Sequence, residues 1–165
     1  MPEEKAYYPL IHLDEIKGIL SKISFFGGLS ERQLKAVYEL LKGVRYKKDE
    51  IIFKQGDDPP YLYIIKSGEV RIVVDIDTEP LELADFREGA CIGEMALIGI
   101  QPHSASAVAI TDTELMVLSS DALHSIYTMD KELFSLLILN IAREACRRLH
   151  KADEVLLHYV HHDHK

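Results

Sequence analysis

The stretch "EIIFKQGDDPPYLYIIKSGEVRIVVDI", Glu50 to Ile76, decides the fold. It contains two runs rich in β-branched and aromatic residues, "YLYIIK" and "EVRIVVDI", which meet at Ser67-Gly68, and a Gly-Asp-Asp-Pro-Pro cluster separates them from "EIIF". Runs of this length and composition bounded by turn residues read as strands, because side chains on a pleated backbone alternate between faces and branched ones pack well there. The Ser-Gly junction predicts a hairpin between the two runs. Shorter runs follow at "LELADF", "SAVAI" and "ELMVLS", set apart by Gly, Pro, Asp and Thr. Many short strands with frequent turns predict a mainly β fold, a β-roll (double-stranded β-helix or jelly roll) over 44–119, and not alternating βαβ units.

The period changes to 3.6 on either side of this region. Leu13, Ile16, Ile19, Leu20 and Ile23 recur at helical spacing before "SFFGGLS" breaks the pattern. Ser30 is an N-cap for a second helix with Leu34, Val37, Leu40 and Leu41 on one stripe, so residues 1–43 read as N-terminal helices. Two small core residues are expected at Cys91 and Cys146, which lie amid apolar neighbours. After the roll, Ser120 is placed to cap a short hinge helix, "DALHSIY", and a long helix is expected from near Asp130 to about Tyr159. Hinge and C-terminal helices thus fill 120–160, and the histidine-rich end at 161–165 reads as a fraying tail, not a metal site. The long helix carries Leu133, Leu137, Ile141, Ala145, Leu149, Ala152, Leu156 and Tyr159 on a continuous stripe. That is more apolar helix than a small roll covers, which predicts a homodimer through the C-terminal helix, with the early turns around Phe134 and Ile138 packed on the roll.

Composition narrows the function. The chain has 165 residues and a formal net charge of -8, the wrong sign for a surface that coats nucleic acid. Its two cysteines show no metal-ligand spacing, and the start "MPEEKAYYP" is no signal peptide, so a cytoplasmic protein is expected. No apolar run reaches the length of about 18 residues that spans a bilayer, so no membrane partner is expected. There is no GxSxG elbow or Cys/His pair, so the chain reads as a non-enzyme without cofactor or metal.

The segment "GEMALIGIQPHSASAV", Gly93 to Val108, has the chemistry of an anion cradle. Gly93 opens a short helix whose first N–H groups converge on one point, with Glu94, Met95 and Ala96 in its first turn. Across the loop, Pro102 fixes the chain and is followed by His103, Ser104, Ala105 and Ser106. Small residues let the backbone approach a ligand, and the Ser104 hydroxyl and N–H are donors for a phosphate.

This order of elements resembles the cyclic nucleotide-binding domain family, which includes regulatory subunits of cAMP-dependent kinase, cyclic-nucleotide-gated channels and bacterial catabolite activator proteins. The motifs are "ISFFGGLSERQLKAVYELL", "IIFKQGDDPPYLYIIKSGEVRIV" with turns at Gly56, Asp57 and Gly68, and "REGACIGEMALIG", which together cover about Phe25 to Leu149. Asp49 stands where a turn glycine is common, and Ile92 where an aromatic often precedes Gly-Glu. The resemblance implies an effector site for cAMP or cGMP in a cassette over 89–108. Glu94 would accept the ribose 2′-hydroxyl there, and Ser106 would stand where some members contact base or phosphate. The family's next residue after the proline is an arginine that binds phosphate as a fork, and here it is His103. Losing a charged hydrogen bond of this kind costs about 1.5–3 kcal/mol, about 10- to 150-fold in affinity. Since histidine is only partly protonated at neutral pH, His103 is expected to act as a weakened, pH-dependent arginine. Ligand would then move the hinge around Ala122 to Tyr127 and, through it, the C-terminal helix. A stand-alone regulatory domain is expected, without the helix-turn-helix of the DNA-binding members. One alternative is a degenerate domain of the same fold that binds no nucleotide and serves as a dimerisation or partner-binding module. The other is a cupin-like metalloenzyme, which lacks support because His103 is the sole histidine of the roll.

Overall fold

The computed structural model describes residues 5–58, 61–99 and 101–162. Two antiparallel sheets form a roll, one ordered β1-β2-β9-β4-β7 and the other β3-β8-β5-β6. In chain order the strands are β1 (Tyr8–Pro9), β2 (Lys42–Tyr46), β3 (Ile51–Phe53), β4 (Tyr61–Ser67), β5 (Glu69–Val74), β6 (Leu81–Arg87), β7 (Cys91–Ile92), β8 (Ser106–Ala109) and β9 (Thr113–Ser119). The helices are α1 (Glu31–Tyr38), α2 (Glu94–Gly99), α3 (Ser120–Met129) and α4 (Lys131–His162).

The alternation of β4 and β9 explains why both read as unbroken apolar runs. Tyr63, Ile65, Leu115 and Val117 point into the roll with Val44, Phe53 and Val70. Leu62, Ile64, Met116 and Leu118 point outward, under Phe25, Val37, Leu123, Leu133, Leu137 and Ile141. Helices therefore cover the outer face of this sheet, both faces of its central strands are dry, and the polar half of the usual pattern disappears. Each such Leu or Ile stabilises the fold by about 1.5–3 kcal/mol. Asn140 of α4 pins the helical layer by donating from Nδ2 to the carbonyls of Phe25 (3.0 Å) and Gly27 (2.8 Å).

Several local expectations change. Strands β4 and β5 do not form a hairpin; they belong to different sheets, and Gly68, at φ +93, turns the chain from one sheet to the other. The hairpin lies one step later, where β5 pairs with β6 from Glu69↔Arg87 to Val74↔Leu81. The pattern around Leu13 to Ile23 folds as 3₁₀ turns, Leu13–Ile16 and Leu20–Lys22, and not as an α-helix. Gly18 interrupts it, and burying Ile16 and Ile23 needs only short i→i+3 turns. Ser30 caps α1 as expected, in a capping box with Gln33. Ser119, not Ser120, caps α3 by accepting from the Ala122 N–H (3.1 Å). Cys91 is in the core, but Cys146 is exposed on α4, whose residues 149–160 are all exposed. The backbone of α4 continues helical through His162, past the expected start of a tail at 161, and residues 163–165 lie outside the described residues, as do Met1 to Glu4 of the acidic start.

Candidate functional site

The cassette begins where β7 ends. Gly93 has φ +81, and a Cβ there would collide with the Tyr61 carbonyl while lying 3.4 Å from the His103 ring. A side chain is thus excluded both by backbone conformation and by space. Helix α2 follows, spanning fewer than two turns. Within it Ala96 and Leu97 are buried, whereas Met95 is 66% exposed.

Glu94 is 3% exposed, an unusual setting for a carboxylate. Burial raises its pKa above the ordinary carboxylate value, and the neighbouring Arg148 guanidinium opposes that rise without cancelling it. The contact comes from α4: Arg148 Nη1 donates to Glu94 Oε1 at 2.5 Å. Its Nη2 donates to the Cys91 carbonyl and its Nε to Glu144 Oε1 at 3.3 Å. The guanidinium carbon also lies 4.5 Å from the centre of the Phe86 ring, within cation–π range. A cavity of about 10 Å³ beside Glu94, lined by Ser24, Cys91 and Asn140 among others, has room for one water at most.

The second half of the cassette lies against the turn after β3. His103 is 5% exposed and stacks on Phe53, with ring centres 3.8 Å apart and planes 13° from parallel. Its backbone N–H donates to the Asp57 carbonyl (3.1 Å), and its own carbonyl accepts from the Gly56 N–H (2.8 Å). These bonds pin the loop to the turn after β3. Ser104 is exposed and Ala105 is buried. Ser106 is fully buried on β8 and its hydroxyl accepts from the Gln55 N–H (2.9 Å), so it stitches the roll together. The fold thus brings Gly93 against His103, turns Glu94 toward α4, and leaves Met95 and Ser104 at the surface.

Arg148 and Phe86 are the residues that sequence reading missed. The signal for Arg148 was present: Leu137, Ile141, Glu144 and Arg148 step by four, three and four, which continues the buried face of α4 with a charge. Among the described residues, no group of His, Cys, Asp and Glu has the arrangement of a metal site. No helix among them is long and apolar enough to cross a membrane.

Over 129 residues the chain is 34% identical to the Cyclic AMP receptor protein of Thermus thermophilus, across 78% of this chain and 58% of that one. Over 101 residues it is 36% identical to a cAMP-dependent protein kinase regulatory subunit of Dictyostelium discoideum, which covers 61% of this chain but only 31% of the relative. The match therefore spans about a third of the kinase subunit and somewhat over half of the receptor. The crystal structure of a cyclic nucleotide-binding domain from Methylobacillus flagellatus superposes with a TM-score of 0.77 at 30% identity, over 87% of this chain and 82% of that one. The family model of the cyclic nucleotide-binding domain matches residues 43–130, from β2 to the residue after α3. The chain belongs to the cyclic nucleotide-binding domain family.

Proposed function

We propose that this domain is a regulatory sensor that binds cAMP or cGMP at Gly93–Ala96 and 103–106 and signals through movement of α4. The observation that carries this reading is the buried Glu94 carboxylate, because one residue joins the cassette to the helix that would report on it. A buried carboxylate is an acceptor for a ribose hydroxyl, and any ligand that engages it must alter what Arg148 does. The relatives named as a cAMP receptor and a cAMP-dependent kinase regulatory subunit favour the same ligand class. Phosphate would be held by the Ser104 hydroxyl and by backbone N–H groups, since residues 89–108 contain no lysine or arginine. Affinity is therefore expected to be modest.

The output we propose is pairing of the later turns of α4 with those of a second copy. From Ala145 the apolar positions 149, 152, 156 and 159 step by four, three, four and three, the spacing of a coiled-coil seam. An exposed Cys146 and a buried Cys91, both free, fit a reducing compartment, and we place the protein in the cytoplasm.

Calorimetric titration with cAMP, cGMP and 5′-AMP tests the ligand. Binding of a cyclic nucleotide, lost in Glu94→Ala at least tenfold, is the expected result. Absence of heat for both cyclic nucleotides at millimolar concentration would favour the second reading, a member that binds no nucleotide and acts as a dimerisation module. The burial of His103 against Phe53 is what speaks for that alternative.

A further inference from the structure

The carboxylate on which nucleotide recognition would turn already has a partner. Arg148 places a donor on Glu94 Oε1 and a flat, delocalised group over the Phe86 ring. A hydroxyl donor and a planar stacking group are also what a nucleoside offers such a site. The arginine is held for this task from its own helix, since Glu144, one turn earlier, accepts from its Nε and also from Arg147. Its Nη2 reaches the Cys91 carbonyl at the start of β7, so the guanidinium spans Cys91 and Glu94, two positions before Gly93 and one after it.

The position of Arg148 along α4 matters equally. Leu133, Leu137 and Ile141 bury the first turns in the core. Beyond Arg148, residues 149–160 are all exposed. Arg148 is thus the last α4 side chain that the body of the domain holds, and releasing it would free the rest of the helix without disturbing the apolar contacts of its start.

We propose that Arg148 is an internal surrogate for the ligand, a latch that keeps α4 on the cassette and that a nucleotide must displace from Glu94 and Phe86. This rests on the reading of the cassette as a nucleotide site. Ligand binding and helix release are then a single equilibrium, and the measured affinity is the intrinsic affinity multiplied by the fraction of molecules in which the latch is open. Removing the latch raises that fraction toward one. Arg148→Ala is therefore expected to tighten cAMP or cGMP binding by about tenfold or more. Arg148→Lys keeps one charge but cannot bridge Glu94, Glu144 and the Cys91 carbonyl together, and should fall between the two.

The test uses the full chain as wild type, Arg148→Ala and Arg148→Lys, each checked by thermal melting, with calorimetric titration of cAMP and cGMP and hydrogen exchange of residues 144–160. Support is tighter binding in both variants, faster exchange of 144–160 in ligand-free Arg148→Ala than in wild type, and wild-type exchange that rises to the variant's level on saturation with nucleotide. Equal affinity in wild type and both variants overturns the latch while leaving the nucleotide reading intact. Weaker binding in both also overturns it, because Arg148 would then be a ligand group. If Arg148→Ala does not fold, Arg148→Lys carries the same comparison. No binding by any of the three proteins, at millimolar nucleotide, overturns the nucleotide reading and the latch together.

Discussion

His103 shows how burial changes the meaning of a residue type. From sequence it is a histidine in the place of a phosphate-binding arginine, and so a pH-dependent cation. In the structure its ring lies flat on Phe53 and its edge faces the space that a side chain at Gly93 would fill. Its backbone bonds to Gly56 and Asp57 fix the cassette loop regardless of the ring's charge. The ring thus forms part of the wall between Phe53 and Gly93. An arginine at 103 would bring a charged fork able to bind a phosphate with two hydrogen bonds. His103→Arg is therefore expected to tighten cyclic-nucleotide binding by about 10- to 150-fold, the worth of a charged hydrogen bond. His103→Phe, which keeps the stack and removes the charge, should change affinity by less than about threefold. Calorimetry at pH 6 and pH 8 checks both, and a loss of tenfold or more in His103→Phe would establish the imidazole as a ligand.

At the scale of elements, the corner between β4 and β5 controls how the two sheets close. Gly68 takes φ +93, and a Cβ on it would lie 2.5 Å from Thr113 Oγ1 and 2.6 Å from the Asp112 carbonyl. Gly68→Ala therefore combines a left-handed backbone with a clash against a neighbouring strand's backbone, and about 2–4 kcal/mol of lost stability is expected. Urea denaturation measures it, and a cost below about 1 kcal/mol would mean that the corner relaxes. The same corner shows what sequence could and could not convey. The strands themselves were legible from branched and aromatic runs between turn residues. Their partners were not, because Ser67-Gly68 marks a reversal equally well whether the next strand pairs with the last or crosses to the other sheet. Asp49 was legible as a replacement for a turn glycine, and it does take φ 69. Glu94 was legible as a candidate through the Gly-Glu motif, and its burial was not. Its partner Arg148 lies 54 residues away on a helix whose docking no local pattern specifies. The expectation that later turns of α4 leave the roll held, since it followed from counting apolar stripe against the surface available to cover it.

Carboxylates in ion pairs link distant parts of the molecule, and their protonation is expected to weaken it in acid. Glu114 on β9 accepts from the Tyr8 hydroxyl of β1 and from Lys66 Nζ (3.1 Å), joining the N-terminal strand to the roll. Burial alone would raise its pKa, but the hydrogen bonds from Tyr8 and Lys66 and the charges of Lys66 and Arg45 outweigh it, so the net shift is downward. Glu144 follows the same logic, with burial opposed by Arg147, Arg148 and Ser24. A carboxylate with a depressed folded-state pKa contributes stability that is present above its unfolded value and is lost as pH falls through the folded one. Glu94 has the opposite sign: its pKa is raised, so its contribution is complete below the unfolded value and is lost as pH rises through the folded value. Melting temperature is expected to fall as pH drops below about 4, the ordinary carboxylate range, and Glu114→Gln should flatten that fall while lowering the plateau near neutrality. A variant that melts as wild type at every pH between 3 and 7 would show that Glu114 does not contribute.

Beyond the body, α4 carries Leu149 at 64%, Leu156 at 62% and Tyr159 at 66% exposure, all on the seam that continues from Ala145. Burying a leucine removes about 1.5–3 kcal/mol of unfavourable hydration, so on the proposed pairing two copies sharing four leucines and two tyrosines would be expected to associate in the micromolar range after the entropy of association is met. The small residues Ala145 and Ala152, alternating with the large ones, would let two such helices approach closely along the same line. Wild type is expected to sediment as a dimer at tens of micromolar, with a melting temperature that rises with protein concentration. Leu149→Glu combined with Leu156→Glu places charges on the seam without touching the roll. That variant should sediment as a monomer whose melting temperature no longer depends on concentration. A wild type that is monomeric at all concentrations, or a double variant that stays dimeric, would remove α4 as the interface.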